Sequence, residues 1–124
     1  MSVEQNKAVL QRYFEVVNSM DWNRVERFID ANYTEDYECI SPSYLEEPGL
    51  EGLKKWFRQA VSNAADVHIT IDDIFGEGDK LVTRITSQFT DKTTGKRMTQ
   101  WSLFISYFKD GKIAKELQLD SPTV

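Results

Sequence analysis

The second half of the chain alternates apolar and polar positions in four runs: VHITIDDIF (67–75), KLVTRITSQFT (80–90), KRMTQWSLFISYF (96–108) and KIAKELQLD (112–120). A period of two marks a strand with one covered face. The connecting stretches GEGD (76–79), DKTTG (91–95) and KDGK (109–112) are rich in residues that accept hairpin-turn geometry. The first half has a helical period. Val9, Tyr13, Val16, Val17 and Met20 form one stripe within residues 3–20, widened by Leu10 and Phe14. Asp21 reads as the N-cap of a short second helix, WNRVERFID, with Val25, Phe28 and Ile29 as its apolar face. Leu50 to Ser62 returns to helical spacing through Leu53, Trp56, Phe57, Ala60 and Val61. Between them, 31–50 holds Pro42, Pro48 and Gly49 with no sustained period, which predicts a loop with room for one short helix or strand. Three helices followed by one strongly curved antiparallel sheet is an α+β plan that readily encloses a pocket.

Within the strands, direction matters more than existence. In the second run, Leu81, Thr83, Ile85, Ser87 and Phe89 oppose Val82, Arg84, Thr86, Gln88 and Thr90. In the third, Trp101, Leu103, Ile105 and Tyr107 oppose Gln100, Ser102, Phe104, Ser106 and Phe108. Large aromatics on both faces predict that both faces are covered. The helices take one, and a second copy of the chain is expected on the other, giving a homodimer through the sheet.

Bulk properties narrow the classes. The 124 residues predict one domain spanning 1–124, and 40% hydrophobic with 28% charged residues is an ordinary globular balance. A net charge of −5 with scattered Lys and Arg disfavours a nucleic-acid partner. One Cys and one His make a structural zinc site implausible, and no glycine-rich phosphate loop precedes a helix, so neither metal nor cofactor is expected. The opening MSVEQNKAVL lacks a basic region followed by an apolar one, and no apolar run approaches ~20 residues, so a cytoplasmic protein with no membrane partner is expected.

The segments AVLQRYFEVVNSMDWNRVERFID, TEDYECISP, PGLEGLKKWF, GDKLVTRIT, TGKRM and KDGKIAKEL, in that order and spacing, resemble the SnoaL-like polyketide cyclases of the nuclear transport factor 2-like superfamily. The resemblance covers nearly the whole chain and implies the cone-shaped α+β barrel also found in ketosteroid isomerase. It is less specific for an activity, because that superfamily includes isomerases, cyclases, dehydratases, epoxide hydrolases and binding modules. QRY at 11–13 puts Tyr13 at the isomerase's oxyanion-binding tyrosine. Its carboxylic-acid partner would fall on Leu103, and the isomerase's general base on Ser41. Ile40 stands where many SnoaL-like chains have histidine, and Leu117 and Gln118 stand in the cyclases' last-strand motif. The family's usual catalytic groups are therefore incomplete.

Two arguments conflict over the pocket face. Alternation makes Leu81, Ile85 and Phe89 core-facing and turns Arg84, Thr86 and Gln88 to water. Alignment to the isomerase instead puts Val82, Arg84, Thr86 and Gln88, with Trp101, Leu103 and Ile105, on the pocket wall. The expectation follows the alignment. Glu116 or Asp120 then serves as acid/base, Arg84 and Tyr13 polarise the substrate, and Gln88, Gln118 and Trp56 contribute to binding. The ligand expected is a small apolar molecule bearing a carbonyl, turned over by cyclisation, isomerisation or hydration. The alternative is a non-catalytic ligand-binding or dimerisation module. His68, flanked by Val67 and Ile69, is expected to point away from the core, and Cys39 to be a packed thiol rather than a nucleophile.

Overall fold

Ser2 starts the first helix through a reciprocal pair. Its hydroxyl accepts from the Gln5 backbone N–H, while the Gln5 side chain accepts from the Ser2 backbone N–H. This capping box satisfies donors that a helix start leaves orphaned, and it opens α1 over Val3–Asn18. The computed structural model describes residues 2–40 and 49–124. Asp21 caps α2 (Trp22–Asn32) by accepting from the backbone N–H groups of Asn23 and Arg24. The third helix, α3, spans Gly49–Asn63. Strands β1 (Tyr33–Cys39), β2 (Ala64–Glu77), β3 (Lys80–Asp91), β4 (Arg97–Lys109) and β5 (Lys112–Asp120) form one sheet in the order β1-β5-β4-β3-β2.

The hairpins follow from turn chemistry. Asp110 and Gly111 between β4 and β5 have φ of 51° and 80°, the pair of positive values that a type I′ turn requires. At the β2–β3 hairpin, a Cβ on Gly76 would run into the Lys80 carbonyl oxygen and the Leu81 side chain, so only glycine fits there.

Two features depart from the sequence reading. The sheet is mixed rather than wholly antiparallel, because β1 runs parallel to β5. It is also open, with β1 and β2 as its two edges. β1 gave no period-two signal because its pairing slips between Tyr33 and Glu38, so the buried residues are Tyr33 and Tyr37, four apart. The open side is bridged by α3, which contacts both edge strands. The free edge of β2 is tied at one point to α1: the Asn18 amide donates to the Ile69 carbonyl at 3.0 Å and accepts from the Ile69 N–H at 2.7 Å. A bonded edge is less open to pairing with foreign strands.

The core lies between the helices and the concave face of the sheet, around Leu10, Ile29, Tyr33, Leu81 and Ile113. A buried Lys54 on α3 bonds Asp30 of α2 at 2.6 Å, fixing the two helices against each other. The same concave face carries polar groups that are also buried: Thr83, Ser106, Glu116 and Gln118. Burying so many hydrogen-bonding groups is unfavourable unless they are paired. No helix among the described residues is long and apolar enough to cross a membrane.

Candidate functional site

A cavity of about 350 Å³ opens between the helices and the concave face. Its helix side is apolar: Tyr13, Phe14, Val17, Leu53, Trp56 and Phe57. Its sheet side mixes Ile69, Ile85, Phe89 and Phe104 with Ser87, Gln100, Ser102, Glu116, Gln118 and Asp120. A largely apolar cavity with a few convergent polar groups is the usual form of a small-molecule site.

Register explains which side chains point inward. In the antiparallel ladders Ile85 sits opposite Ser102, Ser87 opposite Gln100, and Thr83 opposite Phe104. On the other side of β4, Ser102 pairs with Asp120, Phe104 with Gln118 and Ser106 with Glu116. Cross-strand partners share a face, so these residues form four rows on the concave face.

The most buried carboxyl of the cavity is Glu116. Only 6% of it is exposed, and three hydroxyls hold it. Tyr33 and Tyr37 donate to its Oε1 at 3.2 and 3.0 Å, and Ser106 donates to Oε2 at 3.3 Å. Burial pushes its pKa up to about 7, and those three hydrogen bonds only partly oppose the rise. Tyr13 lies beside this group. Burial and the nearby Glu116 charge raise its hydroxyl well above the usual tyrosine range, against the effect of its hydrogen bond with Tyr33. Its ring stacks on Phe14 at 4.8 Å and meets Tyr33 edge-on at 6.2 Å, which leaves it little freedom to turn.

Asp120 forms a second, separate polar group. Its Oδ1 accepts from Ser102 Oγ at 2.6 Å and from Gln118 Nε2 at 2.8 Å. At ~3.3 Å per residue, four residues of β5 put Glu116 and Asp120 roughly 13 Å apart along the strand. The two carboxyls therefore cannot serve the same atom of a small ligand.

The remaining site residues expected from the sequence divide by face. Tyr13, Trp56, Glu116, Gln118 and Asp120 all line the cavity. Val82, Arg84, Thr86, Gln88, Trp101, Leu103 and Ile105 do not; they belong to the opposite, convex face. Arg84 is exposed there and bonds Asp73 Oδ2 at 2.9 Å, and Thr86 donates to Asp72 at 2.6 Å. Asp72 and Asp73 thus lie within β2, with Asp73 opposite Arg84. The alignment that moved Arg84 inward assigned the cavity to the wrong face of β3, and a slip of register is enough to reverse every side chain of a strand. The same slip placed Leu103 opposite Tyr13, whereas Phe104 is the residue that points inward and meets Phe14 at 5.8 Å. Ser41 lies outside the described residues. His68 is exposed, paired in register with Gln88.

Tyr33, Tyr37 and Ser106 were missed. The available signal was the pair of tyrosines in YTEDY, four apart, but that spacing suits neither a regular strand nor, beside prolines, a helix.

Solved structures share this architecture over almost their full length. TsrD from Streptomyces laurentii is 23% identical, with a TM-score of 0.84, covering 98% of this chain and 91% of that one. AclR from Streptomyces galilaeus, a candidate hydroxylase, is 19% identical with a TM-score of 0.83, covering 97% and 91%. IdmH from Streptomyces antibioticus, a candidate polyketide cyclase, is 20% identical with a TM-score of 0.79, covering 94% and 92%. At these identities the likeness shows the fold alone. No functionally curated protein matches the sequence. The profile of the SnoaL-like domain, however, matches residues 10–116, most of the chain, and the protein belongs to the SnoaL-like family.

Proposed function

We propose that the protein binds a small, largely apolar, carbonyl-bearing molecule and moves a proton on it without a cofactor, in an isomerisation, cyclisation or hydration. One observation carries this reading: Glu116 lines an apolar cavity while 6% exposed and held by three hydroxyls, and that burial pushes its pKa up to about 7. A general acid or base works best when its pKa is near the operating pH. As a carboxylate Glu116 removes a proton from the carbon next to the carbonyl, and as an acid it returns that proton to another position. Tyr13 orients the carbonyl end. Gln118 and Asp120 hold the far end of the substrate, and Asp120 is a second proton acceptor for a molecule long enough to reach it. Arg84 and Gln88 have no part in this scheme.

The test is deuterium exchange at the α-carbon of 2-tetralone, a bicyclic ketone small enough for the cavity, followed by NMR. Exchange faster than buffer in the wild type and lost in Glu116→Gln supports the reading. Binding of the ketone with no exchange by the wild type contradicts it and favours the non-catalytic binding module.

A second copy of the chain is the proposed occupant of the convex face. Val82, Ile105 and Leu117 form one cross-strand row there, continued by Leu103 and Leu119, with Phe75 58% and Trp101 46% exposed. Lys80 and Lys115 flank Tyr107 at one end of the patch, and Asp72 and Asp73 lie toward the other, so a two-fold partner meets opposite charge. Light scattering at micromolar concentration should give the mass of a dimer, and Leu103→Glu should give a monomer. A monomeric wild type contradicts it.

A further inference from the structure

The end of the cavity at Asp120 has a different make-up from the end at Glu116. Strand pairing sets Ser87 of β3 opposite Gln100 of β4, and Ser102 of β4 opposite Asp120 of β5. All four residues line the cavity. Gln100 is therefore the diagonal neighbour of Asp120 on one face, a separation of about 7–8 Å that long side chains can cross. Asp120 is exposed, so a charged group bound beside it keeps part of its hydration.

The hydrogen bonds already made here decide what is left to offer. Gln100 Nε2 donates to the Ser121 carbonyl at 3.1 Å. Ser121 is itself fixed against β4: its N–H donates to the Trp101 carbonyl at 2.8 Å, and its Oγ accepts from the Trp101 N–H at 2.9 Å. The Gln100 amide is thereby held by its nitrogen, and its Oε1 has no partner among the described residues. Asp120 Oδ1 already accepts from Ser102 and Gln118, whereas Oδ2 accepts from no described residue. Ser87 Oγ, beside Gln100, also has no partner among the described residues. The spare capacity is thus that of acceptors: a carboxylate oxygen, an amide oxygen and a hydroxyl oxygen. Among the described residues that line the cavity there is no Lys, Arg or His to balance the Asp120 charge. Residues 41–48, SPSYLEEP, contain none either.

We infer that Asp120, Gln100 and Ser87 form a subsite for a primary ammonium group carried by the far end of the ligand. An ammonium has three donors and no acceptor, which matches three acceptors with spare capacity. Its charge meets the Asp120 carboxylate at an exposed site, where neither ion is stripped of water. A hydroxyl supplies one donor and no charge, and a carboxylate supplies neither and meets like charge. Gln100 acts here as a specificity residue, because its tie to Ser121 turns an acceptor toward the ligand. The inference rests on the reading of the cavity as a small-molecule site and extends it: the ligand has an apolar body with an amine at the end remote from Glu116.

Four probes with one naphthalene body test it by titration at pH 7: 2-propylnaphthalene, 2-(naphthalen-2-yl)ethanol, 2-(naphthalen-2-yl)ethylammonium and naphthalen-2-ylacetate. The ammonium should bind the wild type about tenfold tighter than the propyl compound, the size of one charge-assisted hydrogen bond at a solvated site. The alcohol should fall between them, and the carboxylate should bind weakest. High salt should narrow the ammonium advantage. In Asp120→Asn that advantage should shrink to the level of the alcohol, and in Gln100→Leu the ammonium and the alcohol should both lose affinity. In Glu116→Gln the advantage should hold. Unchanged affinity for 2-propylnaphthalene reports an intact cavity in each variant. Equal binding of the ammonium and propyl compounds by the wild type, or tightest binding of the carboxylate, overturns the inference. An ammonium advantage that survives Asp120→Asn, or that is lost in Glu116→Gln, overturns it as well. Failure of all four probes to bind removes the small-molecule reading and the inference with it. An ammonium preference without exchange of 2-tetralone supports this subsite and removes the acid/base reading; exchange without the preference does the reverse.

Discussion

The two faces of one sheet have similar raw materials and opposite fates. On the convex face Arg84 bonds Asp73, and Thr86 bonds Asp72, in contact with water. On the concave face, one residue away in each strand, Thr83, Ser106, Glu116 and Gln118 are buried among aromatics. Convex polar groups keep their hydration and gain little from one another, since exposed ion pairs contribute about 0–1 kcal/mol. Concave polar groups have lost water and depend on each other, so removing one partner or shifting one proton has consequences. Asp72 and Asp73 on the convex face are solubilising groups, whereas the buried Glu116 on the concave face is a titrating acid near neutrality. Face, more than residue type, separates chemistry from surface.

The sharpest way to break this comparison is to neutralise one residue on each face. Glu116→Gln should lower proton-exchange turnover of 2-tetralone by about 100-fold or more, the usual scale for loss of a general acid or base. Arg84→Ala should leave the rate within about twofold of wild type, because a convex residue has no access to the cavity. NMR exchange rates under matched conditions check both. Equal losses would erase the distinction between the faces.

Stability as a function of pH is next in size. Glu116 is neutral in the folded protein up to about pH 7 but ionises near 4.5 once unfolded. Between those values the folded state holds the extra proton, so raising pH withdraws stability. The wild type should be fully stabilised below about pH 4.5 and lose about 3 kcal/mol by pH 8, by the linkage of 1.36 kcal/mol per pH unit. The groups facing Glu116 are Tyr13, Tyr33, Tyr37 and Ser106, none of which changes charge in that window. Urea unfolding of wild type against Glu116→Gln from pH 4 to 8 measures the difference. A pH-independent difference would contradict the burial of the charge.

Two threonines of β3 sharpen the comparison further. Thr83 is fully buried, and its hydroxyl has no hydrogen-bond partner among the described residues. Thr83→Val keeps the shape and removes an unpaired polar atom, and should stabilise by about 1 kcal/mol. Thr86→Val breaks a hydrogen bond to Asp72 on the wet face, and should destabilise by about 0.5 kcal/mol or less. The opposite signs within one strand are visible in melting temperatures. The effect of Arg84→Ala is as small: its stability should change by about 0.5 kcal/mol or less, and less still at high salt.

How much of this was legible in the sequence depends on how local each signal is. Asp21 as a cap, the Asp110–Gly111 turn and the stripe of α1 are set by residues within a few positions of one another, and each follows from pattern alone. Glu116, Gln118 and Asp120 share a strand face, which alternation also reveals. The direction of β3 was readable from Leu81, Ile85 and Phe89, the more apolar set, and the alignment that overrode it chose the opposite face. β1 was hidden because its pairing partner lies some eighty residues away and its register slips. The clasp of Tyr33 and Tyr37 on Glu116 exists only once that distant pairing forms, so no local pattern encodes it.

If Glu116 is a buried acid poised near neutrality, its own titration shows it. The carboxyl carbon of Glu116 can be followed by NMR in selectively labelled protein as pH is raised. A midpoint near pH 7, absent in Glu116→Gln, is expected. A midpoint between about 4 and 5, the ordinary range of an exposed glutamate, would contradict it.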